Sequence, residues 1–420
     1  MKKIVILVSI LIILFSLTYY AQAVGLNGEY DSIKIGLFFD STAKKSVTLS
    51  SDSGLVVGYT TESYEFVEIG PFENTSMTVS IDDLGCMSID GLYQNSENHH
   101  LEVYAYDNIV NVNGAPYRGY IILTNKNGLI QVVNEVDIEE YLYSVIGKEM
   151  SPSWHIEALK AQAICARTYA INNWNKYASK GFNLCATQMS QVYPGIVSET
   201  ESTVRAVEET KGQIVKYNGN IAQTFFYSSS GGKTADVKYV WGSSFPYLVS
   251  VDDSYEDARE ASSAWSVTFT KNDIMKKLTN AGVDVGNVKK VYVDSADNGT
   301  VYKVVIEGDK GDYVLKNERT RTFFGVKSQY YTINGAGSSD NADLVTLSNG
   351  LNEFSKTNAS NIINLLSEDN MPKESDTFTF NGRGWGHRIG MSQYGAKKMA
   401  EAGFSADKIL MHYFPGTTVE

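Results

Sequence analysis

The stretch Asp137-Ile138-Glu139-Glu140-Tyr141-Leu142-Tyr143-Ser144-Val145-Ile146-Gly147-Lys148-Glu149-Met150-Ser151-Pro152 decides how this chain is organised. Asp137 followed three residues later by Glu140 reads as a capping box, in which each side chain satisfies a free backbone donor at the helix start. Ile138, Leu142, Val145 and Ile146 then share one face at helical spacing. The helix is expected to end near Glu149-Met150, where Ser151-Pro152 breaks it and opens a second one. Ile156, Leu159, Ala163, Ala166, Ala170 and Trp174 give the second helix an apolar stripe, with Glu157, Lys160 and Arg167 off it. Two helices pivoting on Glu149 are the best-defined unit of the sequence.

On the N-terminal side the pattern is extended. Ile33 to Phe39 alternates loosely, and Gly54 to Tyr59 is a short apolar run between glycines. Asp52-Ser53-Gly54 and Asn111-Val112-Asn113-Gly114 punctuate these runs as turns. Gly119 to Leu123 and Leu129 to Val133 read as a hairpin turned at Asn125-Lys126-Asn127-Gly128. On the C-terminal side, strands are expected at Ile214–Tyr217, Ala222–Tyr227, Val288–Val293 and Val301–Glu307. Helices are expected at Lys271–Ala281 and Gln393–Ala402, the latter stopped by Gly403. Residues 335–376 are polar and poor in aromatics, an insertion with one candidate helix at Ala359–Leu366. The fold class is therefore α+β. A β-rich region, 24–113, precedes a mixed α+β core, 114–420, built on the two-helix unit.

Residues 1–23 carry the layout of a secretory signal. Lys2 and Lys3 precede an apolar run from Ile4 to Leu17, and Ala21-Gln22-Ala23 offers small residues for cleavage. The run is short of the ~20 apolar residues that a membrane span needs. The chain is thus expected outside the cytoplasm, secreted or wall-associated. It touches a membrane only through the N-terminal segment if that segment stays uncleaved.

The net charge is −12. Such a surface repels phosphate backbones and anionic lipid, which argues against nucleic-acid partners. With 43% hydrophobic residues the chain can build a core without disulfides. Its three cysteines, Cys86, Cys165 and Cys185, do not form a disulfide framework pattern. No metal site is expected: His99-His100 are isolated and Cys185 lacks local ligand partners. Nothing calls for a cofactor.

Three places offer chemistry. Glu149 closes a capped helix, where the negative end of the helix dipole disfavours a second negative charge. Partial burial would raise its pKa further and leave it able to act as a general acid. Its plain alternative is a surface glutamate before a proline break. The second place is Gly382-Arg383-Gly384-Trp385-Gly386-His387-Arg388-Ile389-Gly390-Met391-Ser392-Gln393-Tyr394-Gly395-Ala396. Its glycines allow close backbone approach to a ligand, Trp385 offers a stacking face, and His387 a proton carrier or donor. Its plain alternative is a tight turn with packed Trp and His. The third is Tyr227-Ser228-Ser229-Ser230-Gly231-Gly232. It lacks the Gly-x-Ser-x-Gly arrangement of a hydrolase nucleophile and reads as a hydroxyl-rich loop lining a cleft.

Together these segments resemble the SpoIID/LytB family, named for a sporulation protein and an amidase enhancer. The resemblance rests on Val136 to Met150, Glu157 to Ala170, Ser230-Gly231-Gly232 with Trp241, and the glycine-rich block ending at Ala396. It covers roughly residues 115 to 420 apart from the polar insertion. It implies lytic transglycosylase activity on peptidoglycan, cutting between N-acetylmuramic acid and N-acetylglucosamine in peptide-stripped strands. The family's catalytic glutamate falls on Glu149. Arg167, Tyr227, Ser230, Trp385, His387, Ser392, Gln393 and Tyr394 are implied as cleft-lining, substrate-binding partners. Two departures stand out. Met189 and Ser190 occupy the His and second Cys positions of a segment that binds zinc in some members. Arg388 stands where the pattern has Gly, a change expected to alter cleft access. The rival reading is a wall-binding enhancer of an N-acetylmuramoyl-L-alanine amidase; a third is an exported structural β protein.

Overall fold

The computed structural model describes residues 30–61, 65–69, 75–91, 93–95, 100–256, 263–334 and 376–420. The signal segment 1–23, the candidate helix Ala359–Leu366 and nearly all of the polar insertion lie outside them. The chain forms two compact units, 1–223 with 418–420, and 224–417. The break at Gln223/Thr224 differs from the boundary expected at 113/114.

Strand pairing explains that difference. The first unit holds β1 (Ser32–Phe38), β2 (Ser46–Ser50), β3 (Leu55–Thr60), β4 (Phe66–Glu68), β5 (Ser76–Ile81), β6 (Met87–Ile89) and β7 (Tyr93–Asn95). It continues with β8 (Leu101–Ala105), β9 (Ile109–Val112), β10 (Ala115–Arg118), β11 (Tyr120–Lys126), β12 (Leu129–Asp137) and β13 (Leu184–Cys185). One seven-stranded sheet runs β13-β1-β12-β11-β8-β3-β4, and a six-stranded sheet runs β10-β9-β2-β5-β6-β7. β1 pairs antiparallel with β12, and β8 with β11. The N-terminal strands therefore share one ladder with the hairpin that feeds the helices. No boundary can fall at residue 113 without breaking it.

The β11–β12 hairpin closes at Lys126↔Leu129 around Asn127 (φ 55°) and Gly128 (φ 78°). Both take the left-handed conformation of a two-residue turn, which Asn-Gly adopts at little cost. β12 leads straight into α1 (Ile138–Glu149), and α2 (Ile156–Asn172) follows. Ile138, Leu142, Val145 and Ile146 are all buried, as the spacing predicts. A third helix, α3 (Glu201–Glu208), packs on both.

The second unit has its own core. An antiparallel sheet of Ala264–Thr270, Thr377–Arg383 and Tyr331–Asn334, another of Val288–Asp297, Thr300–Gly308 and Gly311–Lys316, and the helix Lys271–Asn280 bury Trp265, Ile274, Val304, Phe324, Phe378 and Phe380 in one cluster. Thr270 and Asp273 form a reciprocal capping box on that helix. The strand expected at Ala222–Tyr227 is only Phe226–Tyr227, because the two units part at Gln223/Thr224. The helix Gln393–Glu401 ends before Gly403, whose φ is 91°.

Candidate functional site

In the first unit the site begins at the start of α1. Asp137 accepts from the amides of Glu139 at 2.8 Å and Glu140 at 3.2 Å, so the N-cap is present. The reciprocal half of the expected box is not. Glu140 instead takes the Asn108 amide at 3.4 Å and lies 4.0 Å from Arg118, both brought in by the sheet. Glu149 is the last residue of α1 and is half-buried; Met150 after it is extended (φ −125°, ψ 151°) and buried. Tyr141, on the same helix, donates to Gln191 at 3.0 Å. Burial pushes its phenol well above the ordinary value, with smaller contributions from Tyr169, Tyr193 and the charge of Glu149.

Arg167 does not line a cleft. It lies on α2 with no exposed surface, its Nε 2.9 Å and 3.1 Å from the two Glu139 oxygens, and it also donates to the Gln213 carbonyl at 3.0 Å. This corrects the expectation of a cleft-lining, substrate-binding arginine. A guanidinium off the apolar stripe can be buried when a carboxylate from the facing helix meets its fork. Glu139 gave no sequence signal, since 28 residues separate the partners and only the helix packing joins them.

In the second unit the structure does bring the two loop motifs together. Phe226–Tyr227 pairs in parallel with Met391–Ser392, and Ser229 bridges Trp385. Trp385 is 53% exposed, with the Lys327 ammonium 4.5 Å from its ring centroid. His387 is partly exposed and ringed by Trp241 at 5.0 Å and Tyr227 at 5.4 Å. Burial, helped by the Arg321 charge, pushes its imidazole down to about 4. It is neutral at physiological pH. Its Nδ1 accepts from the Ile389 amide at 3.0 Å, which leaves Nε2 as the N–H donor. Gln393 is buried and Tyr394 is partly exposed, both at the start of the last-but-one helix.

Tyr227, Ser230 and Ser392 are buried rather than surface-lining. Two carboxylates explain their positions. Glu256 accepts from the Ser230 amide at 2.8 Å, from the hydroxyls of Ser392 at 2.9 Å and Ser230 at 3.0 Å, and from Ser229. Asp253 lies 2.8 Å from the same Ser230 hydroxyl, whose one proton the two carboxylates share, and accepts from Tyr413 at 2.9 Å. Burial, with the nearby Glu256 charge, pushes Asp253 up to about 6 despite these hydrogen bonds. Both acids stitch the hydroxyl-rich loop to the glycine-rich one. Neither gave a sequence signal, since the Ser230 hydroxyl they meet lies 23 and 26 residues away along the chain.

Arg388 also turns inward. Its φ of 64° is the left-handed conformation that glycine favours, which accounts for Gly at this position in the family pattern. Arg accommodates it by donating to the carbonyls of Ser230 at 3.0 Å and Lys233 at 3.2 Å, with its guanidinium 4.3 Å over the Tyr330 ring. Being fully buried, its side chain does not itself project into a cleft.

Among the described residues no group of three or more His, Cys, Asp or Glu is arranged to hold a metal. Cys185 is buried, with Thr187 at 3.3 Å and Ser190 at 3.5 Å from its sulfur, while Met189 points to solvent. Burial alone would raise the thiol, but these hydroxyl contacts outweigh it and hold it below the usual value.

Comparison with known proteins places these features in context. The profile of the Stage II sporulation protein family, SpoIID, matches residues 126–217. The chain is 32% identical over 301 residues to the amidase enhancer of Bacillus subtilis, covering 66% of this chain and 40% of that protein. It is 30% identical to stage II sporulation protein D of the same organism, covering 69% of this chain and 76% of the relative. An uncharacterized protein of Brachyspira hyodysenteriae is 30% identical, covering 73% of each. The chain thus spans less than half the length of the amidase enhancer.

Proposed function

We propose that this chain, which belongs to the stage II sporulation protein D family, acts at the cell wall by cleaving peptidoglycan glycan strands, with Glu149 as its acid/base carboxyl. The observation that carries the reading is Glu149 itself: a half-buried carboxyl at the C-terminal end of a capped helix, inside the matched span 126–217. The negative end of a helix favours a carboxyl that holds its proton, as a general acid needs.

One carboxyl suffices for a lytic transglycosylase. Glu149 donates its proton to the glycosidic oxygen as the bond from the N-acetylmuramic acid anomeric carbon breaks. The same sugar's 6-hydroxyl oxygen then bonds to that carbon and gives its proton back to Glu149. The products are a 1,6-anhydro end and a free 4-hydroxyl, with no water consumed. The second carboxylate of ordinary glycosidases is not required. The reading includes export through residues 1–23, so that the folded chain meets the wall outside the cytoplasm; N-terminal sequencing of the mature protein tests that step.

The similarity to a protein named amidase enhancer favours a second reading, in which the chain binds the wall and stimulates an N-acetylmuramoyl-L-alanine amidase. Incubation with peptide-free glycan strands and mass spectrometry separates the two. Anhydro-muramyl products are expected from the wild type and not from Glu149→Gln. A wild type that yields none while stimulating an amidase overturns the enzyme reading. Full activity in Glu149→Gln overturns the residue assignment.

A further inference from the structure

The outer face of the seven-stranded sheet carries a groove of about 620 Å³, within the range of about 300–1,000 Å³ of ligand sites. We propose that it is an oligosaccharide-binding site, separate from Glu149, that takes neutral, hydroxyl-rich N-acetyl sugar rings.

Strand alternation builds it. In β11 and β8, Ile121, Leu123, Leu101 and Val103 are fully buried, which turns Tyr120, Glu102 and Tyr104 to the opposite face. Phe66 of β4 joins them because Gly58 of β3 lies beneath it, where a Cβ would run into the ring. Phe66, Tyr104 and Tyr120 form a ladder of rings with centroids 5.8 Å and 5.3 Å apart. Phe66 is 39% and Tyr120 45% exposed. From β4 to Ser32 on β1 the lining crosses six strands, roughly 24 Å at the usual strand spacing.

The polar part of the lining decides the ligand. Four carboxyls and no basic side chain face the groove, so an anion is repelled. All four carboxyls already have partners, Asp137 in the Glu139 and Glu140 amides of the helix it caps. Glu102 takes Thr60 at 3.0 Å and His100 at 2.7 Å, Glu135 takes Ser32 at 3.1 Å and Lys34 at 3.5 Å, and Glu140 takes Asn108. Lys34 and Arg118 offset only part of the charge at the rim, but every carboxylate has a partner, so no naked acidic cluster calls for a free cation. A carboxylate has about four acceptor sites, so lone pairs remain for hydroxyl or acetamido N–H donors. An N-acetyl sugar offers both halves of the match: a C–H face for the rings and a rim of donors for the carboxylates. Asp137 at this groove and Glu149 lie at opposite ends of α1, about 18 Å apart at 1.5 Å per residue. One sugar ring cannot reach both.

The choice of an N-acetyl sugar rests on the glycan reading above; the groove itself does not. The acidic rim narrows that choice to the uncharged N-acetylglucosamine rings, since the lactyl carboxylate of N-acetylmuramic acid would be repelled. The full chain is titrated with tetra-N-acetylchitotetraose by calorimetry. Saturable binding is expected, weakened five-fold or more in Tyr120→Ala and in Phe66→Ala, and unchanged in Glu149→Gln. Both rings are at the surface, and an unaltered Tm shows that each variant folds. Binding that both variants keep, no saturable binding, or binding of trilysine in place of the sugar overturns the proposal. If Glu149→Gln still cleaves glycan while Tyr120→Ala loses the tetramer, the cleavage assignment fails and the groove stands.

Discussion

Among the described residues each unit hides one arginine completely, and the two are held in different ways. Arg167 meets a carboxylate, Glu139, through a forked pair that ties α2 to the first turn of α1. Arg388 bonds to the carbonyls of Ser230 and Lys233 and lies over Tyr330. Burial pushes its guanidinium down to about 10, still cationic at neutral pH. The difference follows what each unit has to hold. Two helices have their backbone groups spent internally, so only side chains can tie one to the other. Loops leave carbonyls free, and a guanidinium with five donors gathers several at once. The same residue type thus serves chiefly as a point tie to a carboxylate in one region, with the Gln213 carbonyl added, and as a fan across loop carbonyls in the other.

The sharpest way to break this comparison is to remove the point tie. Arg167→Met leaves Glu139 buried without its partner, and urea unfolding is expected to show a loss of about 3–5 kcal/mol. Restoring neutrality with Glu139→Gln as well should recover most of it. A single variant as stable as wild type would show that the pair does not hold the helices.

Next in size is the acidic clasp of the loops. Asp253 has its folded pKa raised from 3.8 to about 6, so the folded state binds the proton more tightly than the unfolded one. Its contribution is fully present below pH ~4 and disappears as pH rises through ~6, about 3 kcal/mol in all at 1.36 kcal/mol per unit. Asp253→Asn, a neutral isostere able to keep both hydrogen bonds, should remove that part of the slope between pH 4 and 7. Unfolding of both proteins across that range reads it; parallel curves would sink the assignment.

The smallest effect is expected at the fan. Arg388→Gly relieves a left-handed non-glycine residue, worth about 1–2 kcal/mol. It forfeits hydrogen bonds of a charged group at about 1.5–3 kcal/mol each. A net loss of about 2 kcal/mol in thermal or urea unfolding is expected. A gain would mean that the family's glycine is the better solution even here.

Much of this was legible locally. The Asp137 cap, the apolar faces of α1 and α2, the Asn127-Gly128 turn and the stop at Gly403 depend on neighbours within a few residues. The exported character expected of residues 1–23 lies outside the described structure. The domain boundary, the Glu139–Arg167 pair and the Asp253–Glu256 clasp were illegible for one reason: their partners lie tens of residues away, with nothing periodic between them. Glu140 shows the same limit in reverse, since its local pattern promised a cap and the sheet supplied Asn108 instead.

By itself, the sequence determined the two-helix unit, the Asn127-Gly128 hairpin turn and the helices that begin at Lys271 and Gln393, and it placed Glu149 at the end of a capped helix. Those outcomes follow from side-chain periodicity and backbone preference, which act over one or two turns. Only the tertiary structure decided which polar residues are interior. It sank Arg167, Ser230, Ser392 and Arg388 into hydrogen-bonded networks and left Trp385 and the Phe66–Tyr104–Tyr120 ladder at the surface. Burying a charge is tolerable only where distant partners converge on it, and convergence is a property of the folded chain.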